Sequence, residues 1–262
     1  MAIREIRGCR AIVTGASSGI GRALVLELCR QGARCVALAR RSERLDELAA
    51  EVVTSGGTLE TVVGDVTLVD VRQAALERAK SAYGGLDLLV NNAGAGTLGF
   101  FAHSNDELLR RILEVNFFAP AEFMRQAHPL LRTGTNPMVV NIGSVLGHWG
   151  LPRMSEYCAS KFALRGLSLA LRAEFVRDGI DVLLVSPART TSEFVDNMID
   201  ARSENLWPGV TGTSAELVAK RTVRAIRLGR YELFPSWSAR LLYWVNRLAP
   251  WAVERYIARY EH

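Results

Sequence analysis

Tyr157 and Lys161 stand at positions i and i+4 of Tyr157-Cys158-Ala159-Ser160-Lys161, with Ser144 a short loop upstream. On a helix such positions share one side. A phenol beside an ammonium is a proton-transfer pair, because the cation favours the tyrosinate and draws its ionisation toward neutral pH. Near the start of the chain, Thr14-Gly15-Ala16-Ser17-Ser18-Gly19-Ile20-Gly21 follows the apolar run Ala11-Ile12-Val13 and precedes a helical pattern. A strand, a glycine turn and a helix in that order make a cradle for dinucleotide phosphates. A proton shuttle downstream of such a cradle points to hydride transfer between a nicotinamide and a carbonyl or alcohol.

These groups need a scaffold, and short apolar runs alternating with helical patterns supply one. Strands are expected at Ala11–Val13, Cys35–Leu38, Leu59–Val63, Leu86–Val90, Met138–Ile142 and Val182–Val185, with Tyr231–Phe234 as an added edge. Strands alternating with helices build a parallel sheet covered on both faces by right-handed crossovers. The expected fold is therefore α/β, one doubly wound sheet with helices on both sides. Residues 1–235 form the binding and catalytic domain, and residues 236–262 form an aromatic, basic helical tail packed on it.

The glycine loop divides its labour. Gly15 permits the tight turn, Gly19 lets the backbone approach the pyrophosphate, and Gly21 lets helix and sheet pack closely. Ile20 lies within the same turn, and Ser17 and Ser18 add hydroxyl donors. The end of the second strand reads Leu38-Ala39-Arg40-Arg41, without the acidic residue that would bind a ribose 2′-hydroxyl. Arg40 is the expected contact for a 2′-phosphate, with Arg41 or Ser42 assisting, so NADP (NADPH) is favoured over NAD. Asp65 and Val66 stand where an adenine edge would lie, although Asp65 equally suits a cap for the helix that begins near Thr67. Asn91-Asn92-Ala93-Gly94 ends the fourth strand at the ligand-binding edge of such sheets.

Composition bounds the rest. The chain has 262 residues, of which 49% are hydrophobic, enough for one large core. Its net charge of +5 is spread over many elements; it suits an anionic cofactor or an acidic membrane surface, and nucleic acid is not expected. Cys9, Cys29, Cys35 and Cys158 lack metal or disulfide spacing, and His103, His128, His148 and His262 lack ligand spacing, so no metal is expected. The first residues do not resemble a signal peptide, and no apolar run is long enough to span a bilayer, so a cytoplasmic location is expected.

Taken together, Thr14-Gly15-x-x-x-Gly19-x-Gly21, Asn91-Asn92-Ala93-Gly94, Asn116, Ser144, Tyr157-x-x-x-Lys161 and Pro187 resemble the short-chain dehydrogenase/reductase family over roughly residues 8 to 235. The resemblance implies a Rossmann-type core, bound NAD(P) and a Ser-Tyr-Lys site supported by an Asn. By the same resemblance Tyr157 is the general acid in reduction and the base in oxidation. Lys161 lowers the Tyr157 pKa and hydrogen-bonds the nicotinamide ribose. Ser144 holds the substrate oxygen, and Asn116 holds a water that connects Lys161 to solvent. Two departures add a methyl group each: Ala188 after Pro187, where many relatives have Gly, and Ala119 after Asn116. Thr190 is expected either to contact the carboxamide or to cap the next segment.

Leu146, His148, Trp149, Leu151 and Met154 suggest an apolar wall, and Thr191 to Gly212, with Phe194, Met198, Ile199, Leu206 and Trp207, suggest a covering lid. An apolar or aromatic carbonyl or alcohol is the expected substrate. In the tail, Trp237, Tyr243, Trp244, Trp251, Tyr256 and Tyr260 interleave with Arg240, Arg247, Arg255 and Arg259, and Pro250 should split it into two helices. Such a tail either packs over the cleft or a neighbouring subunit, or rests on an anionic membrane. A homodimer or homotetramer is expected through the helices near Glu107–Arg132 and Tyr157–Arg177. The alternative to an enzyme is an NADP(H)-binding sensor or scaffold without significant turnover, against which the intact Ser144, Tyr157 and Lys161 argue.

Overall fold

The computed structural model of the chain describes residues 3–191, 193–194, 198–201 and 212–258. Its centre is a parallel sheet of β1 (Arg10–Thr14), β2 (Arg34–Ala39), β3 (Thr58–Val63), β4 (Leu88–Asn91), β5 (Met138–Ile142), β6 (Asp181–Val185) and β7 (Glu232–Leu233). The spatial order is β7-β6-β5-β4-β1-β2-β3. Every pairing in it is parallel. The expected strands are all present, with ends shifted by a residue or two. Leu86 and Asp87 fall outside β4 because the Asp87 carboxylate turns back to bind Arg10.

Alternation along the strands explains why they read as continuous apolar runs. Ala11, Val13, Cys35, Ala37, Leu88 and Val90 join one core with α1 (Gly19–Arg30), α2 (Ser42–Thr54) and α7 (Ala215–Arg227). Ile12, Val36, Leu38 and Leu89 point the other way, into a second core with α3 (Val69–Tyr83) and α5 (Ala119–Leu131), against which part of α6 (Ser155–Phe175) packs. A strand buried on both faces has no polar side to show. One buried polar ladder sits among these apolar contacts. Asn91 Nδ2 donates to Asn141 Oδ1 at 2.8 Å, and Asn141 Nδ2 donates to Ser168 Oγ at 2.9 Å. Asn91 and Asn141 face each other across β4 and β5, so this ladder fixes the register in which both strands end at the cleft.

α4 (Asp106–Leu113) runs into α5 through a π-helical turn at Glu114–Phe118. The tail forms α8 (Trp237–Leu248) and α9 (Pro250–Ala258), broken where Pro250 forbids continuation. Ser236 caps α8, its hydroxyl accepting from Ala239 N at 3.2 Å. Among the described residues no helix is long and apolar enough to cross a membrane. Arg259, Tyr260, Leu206 and Trp207 lie outside the described residues.

Asp87 is the rivet at the other end of the sheet. Its carboxylate accepts from Arg10 Nε at 2.8 Å, Arg10 N at 2.9 Å and Thr135 N at 2.7 Å. Burial pushes the carboxyl pKa up, but these hydrogen bonds, led by Arg10, outweigh it and hold the pKa below the usual range. A depressed folded pKa means the stabilisation is complete above the unfolded carboxylate pKa and is lost as pH falls through the folded value. Asp87→Ala leaves the half-buried Arg10 charge and the Thr135 N–H without their acceptor and should cost about 2 kcal/mol. Thermal unfolding of wild type and variant should therefore differ at pH 7 and converge in acid.

Candidate active site

Where β1 has β2 on one side and β4 on the other, the following loops diverge and open a crevice at the carboxyl ends of the strands. A single cleft of about 1020 Å³ occupies this crevice, open to solvent and walled by both halves of the sheet. Its size falls at the upper end of the range for cofactor and substrate sites.

The glycine turn forms one end. Gly15 and Gly19 have φ of +65° and +54°, in the left-handed region that favours glycine. A Cβ on Gly21 would lie 2.3 Å from Gly15 O and 2.4 Å from Asn92 Nδ2, so only hydrogen lets α1 settle onto the turn. Asn92 Nδ2 donates to Thr14 O at 2.9 Å and Gly15 O at 3.2 Å. Thr14 returns the link, its Oγ1 accepting the N–H groups of Asn92 and Ala93, each at 2.9 Å. The ends of β1 and β4 are thus laced together by side chains. Backbone and helix N-terminus are thereby brought close at this turn, an arrangement that suits a phosphate.

Gly15, Ser17, Ser18, Gly19, Ile20, Arg40, Arg41, Asp65, Val66, Asn92, Ala93, Gly94, Ser144, Tyr157, Lys161, Pro187 and Thr190 all line this one cleft. Gly21 and Asn116 stand behind its wall. Arg40 is exposed at the rim, whereas Arg41 is the arginine tied to the turn, with Nε and Nη2 at 3.3 and 3.2 Å from Ser17 Oγ. Arg41 also pairs with Glu193 at 3.0 Å. Asp65 closes a local turn, its Oδ1 accepting from Thr67 N at 3.0 Å and Thr67 Oγ1 at 2.8 Å; it does not cap α3, which starts at Val69 with Leu68 at its N-cap. Thr190 lies in a short strand beside Thr213 rather than at a helix cap, and its hydroxyl donates to Ala188 O at 3.2 Å.

At the other end, α6 starts at Ser155 and places Tyr157 and Lys161 on its buried side, with Leu164 and Ser168 on successive turns. Lys161 Nζ stands 5.6 Å from the centroid of the Tyr157 ring and donates to Ile142 O at 3.0 Å. Ser144 precedes a single 3₁₀ turn, where its Oγ accepts from Leu146 N at 3.1 Å, and its side chain shares the cleft with the Tyr157 phenol. Burial pushes the phenol up to about 12. The Ser144 hydroxyl favours ionisation and the Cys158 thiol opposes it. Burial likewise brings Lys161 down to about 8. The expectation of an acidified phenol is thus corrected. Both groups have left water, and the cost of charging the oxygen there exceeds what its neighbours return.

Asn116 uses the π-helical turn to point inward. Its Oδ1 accepts from Ala95 N at 2.8 Å, and its Nδ2 donates to Ala95 O at 2.8 Å and Ser160 Oγ at 2.9 Å. Both amide hydrogens are therefore committed to fastening the loop after β4 onto α6. The oxygen retains one lone pair toward Gly94, beside Lys161.

Leu146, Trp149, Leu151 and Met154 form the expected apolar wall, and Phe194, Met198 and Ile199 face it. Phe194 meets the Tyr157 ring edge-on at 5.6 Å between centroids. His148 departs from the expected wall. Its imidazole turns inward to Ser186 Oγ at 3.0 Å, and burial lowers its pKa to about 4, leaving it neutral. Sequence reasoning missed Leu242 and Val253, which come from the tail to line the cleft and join Val145 and Trp149 in a small core. It also missed the double acceptor role of Thr14. No local pattern signals either.

Comparison with known proteins agrees with this geometry. Residues 10–203 match the family described as short chain dehydrogenase. Nodulation protein G of Rhizobium sp. (strain N33) is 34% identical over 82% of this chain and 88% of its own length. The 11-beta-hydroxysteroid dehydrogenase-like 4A protein of Arabidopsis thaliana is 33% identical, covering 95% of this chain and 86% of its own. Among solved structures, a short-chain dehydrogenase/reductase from Burkholderia phymatum in complex with NAD superposes with a TM-score of 0.84 at 25% identity, over 94% of this chain and 95% of that one. A short-chain dehydrogenase from Burkholderia cenocepacia J2315 in complex with NADP does so with a TM-score of 0.82 at 27% identity, over 97% and 99%. The chain belongs to the short-chain dehydrogenase/reductase family. It is an oxidoreductase that uses a nicotinamide cofactor.

The contact beneath Gly21 yields a direct test. Gly21→Ala must push α1 away from backbone atoms of the turn. Thermal unfolding should show a loss of roughly 1–3 kcal/mol, and fluorescence titration should show weakened NADPH binding in the protein that remains folded.

Proposed function

We propose that the chain is an NADP-dependent oxidoreductase that interconverts an apolar carbonyl compound and its secondary alcohol, with Tyr157 as general acid and base. One observation carries this reading: the Tyr157 phenol, with Ser144 and Lys161, shares a single cleft with the glycine turn and the arginines at the end of β2. Arg40 and Arg41, with no acidic residue at that strand end, favour a 2′-phosphate over a free 2′-hydroxyl. Leu242, Val253, Trp149 and Phe194 give the substrate end its apolar character. Naming a relative hydroxysteroid dehydrogenase-like accords with a bulky apolar substrate.

The nicotinamide, when bound, supplies or takes the hydride at the reacting carbon. The chain's part is to position the substrate oxygen and to move one proton. Ser144 donates to that oxygen as charge grows on it. Tyr157 gives the oxygen its proton in reduction and takes it back in oxidation. Lys161 holds its positive charge one helical turn away and orients the ribose. Asn116 keeps Gly94 and α6 fixed beside it. The exposed apolar side chains Phe118, Phe162, Leu169 and Val176, on and beside α5 and α6, support assembly into a dimer or tetramer through those helices.

The proton count sets the pH dependence. Reduction draws on the Tyr157–Lys161 pair carrying both protons, a form that persists up to about pH 8, where Lys161 begins to lose its charge. Oxidation draws on the pair lacking one proton, whichever group gave it up, and that form grows through the same pH. Steady-state rates should therefore fall above about pH 8 in the reductive direction and rise toward it in the oxidative direction. Tyr157→Phe should lower turnover by about 10³-fold at every pH while NADPH affinity, read by fluorescence, stays unchanged. A wild type that binds NADPH yet shows no Tyr157-dependent turnover on a broad carbonyl panel would instead establish the sensor reading.

Cofactor choice is tested separately. Replacing Arg40 and Arg41 together by Ala should weaken NADPH binding by on the order of tenfold to a hundredfold and leave NADH binding unaltered. Equal weakening of both would remove the 2′-phosphate from the argument.

A further inference from the structure

Helix α8 faces the wrong way for an ordinary surface helix. Trp237, Leu241, Trp244, Val245 and Leu248 recur at i, i+4, i+7, i+8 and i+11, which at 3.6 residues per turn is one continuous stripe. The stripe points away from the protein: Trp237 is 77% exposed, Leu241 53%, Trp244 47% and Leu248 80%. The inward side carries Ala239, Leu242 and Tyr243, packed with Val145, Trp149 and Phe234, while Asn246 Nδ2 donates to His148 O at 3.2 Å. The inner side therefore anchors the helix to the fold, and the outer side remains apolar without contributing to that anchor.

The stripe continues onto α9 at Trp251, which is 63% exposed, and Arg255 lies 5.8 Å over its ring. Arg240 and Arg247 fall one turn-step from the stripe on its same border, and both are exposed. No acidic residue occurs from Trp237 to Val253. Scattered exposed apolar residues are normal, but a contiguous stripe with a one-signed border marks an interaction surface. Tryptophans mixed with leucines, bordered by arginines, match the layered chemistry of a bilayer interface, with acyl chains beneath aromatic rings and anionic headgroups beside them. At 12 residues α8 is too short to cross a bilayer and is suited to lying in its plane.

We propose that the outer face of α8 and the start of α9 dock this protein on an anionic lipid surface, with Trp237, Leu241, Trp244, Leu248 and Trp251 entering the interface and Arg240 and Arg247 holding headgroups. The docking goes beyond the reaction assigned to the cleft, and none of these residues lines that cleft, so it is measured without turnover.

The test uses the full chain and large vesicles of phosphatidylcholine with or without phosphatidylglycerol. Wild type should co-sediment with the anionic vesicles, show a blue-shifted tryptophan emission, and be released as salt rises. Leu241→Glu with Leu248→Glu should lower partitioning on the order of a hundredfold or more. Arg240→Gln with Arg247→Gln should lower it roughly thirtyfold on anionic vesicles only. Melting temperature and NADPH affinity serve as controls that both variants keep the wild-type fold. Wild type that sediments no better with anionic than with neutral vesicles, or a leucine variant that sediments like wild type, overturns the proposal. So does a wild type that ignores vesicles but forms a dimer that the leucine variant splits in analytical ultracentrifugation, since a second copy then covers the face.

Discussion

The lacing of β1 to β4 at their carboxyl ends is the constraint on which the site depends. The Thr14 hydroxyl receives two backbone N–H groups from the start of the next loop, and Asn92 returns its amide to the glycine turn. These strands belong to the two halves of the sheet, one leading to the phosphate cradle and the other toward Asn116, Ser144 and Tyr157. Neither half contains a complete site. A hydroxyl with its acceptor capacity filled, and a glycine that admits only hydrogen beneath it, hold the halves at a fixed distance. The chemistry then inherits that spacing.

Burial, not charge pairing alone, sets the electrostatics of the reacting end. Tyr157, Lys161 and His148 are all removed from water, and in each the neutral form gains: the phenol moves up, the ammonium and imidazole move down. The phenol therefore keeps its proton beside a cation that starts to lose its own mildly above neutrality, so the pair enters reduction with both protons in place. The imidazole, neutral and turned toward Ser186, serves instead as a packing block between the Ser144 loop and the tail.

Local periodicity made much of this legible in the amino-acid string. The glycine turn, Tyr157 with Lys161, the parallel strands and the break at Pro250 are each encoded within a few residues, so their types and spacing suffice. What escaped reading depends on partners distant in the chain. Arg41 rather than Arg40 touches Ser17 because the start of α2 turns it toward the cradle. Leu242 and Val253 reach the cleft only because the tail folds back over Trp149. Tyr157 resists ionisation because residues far from it exclude water. Asn116 was visible as a motif, yet the π-helical turn that aims it was not, since a one-residue widening of a helix leaves no periodic mark.

The strand order also dictates how this chain must come together. β1 is emitted early and quickly finds β2, yet its other neighbour, β4, arrives only after β3 and two intervening helices have been made. Until then β1 is an open edge, apolar on both faces from Ala11 to Val13, and able to pair with a stranger. Such far-apart pairings pay their loop-closure entropy before any contact rewards it, which slows folding. A ribosome-bound segment ending short of β4 is therefore a sticky half-sheet, and the nascent protein's dependence on chaperones should be greatest while that span is being synthesised.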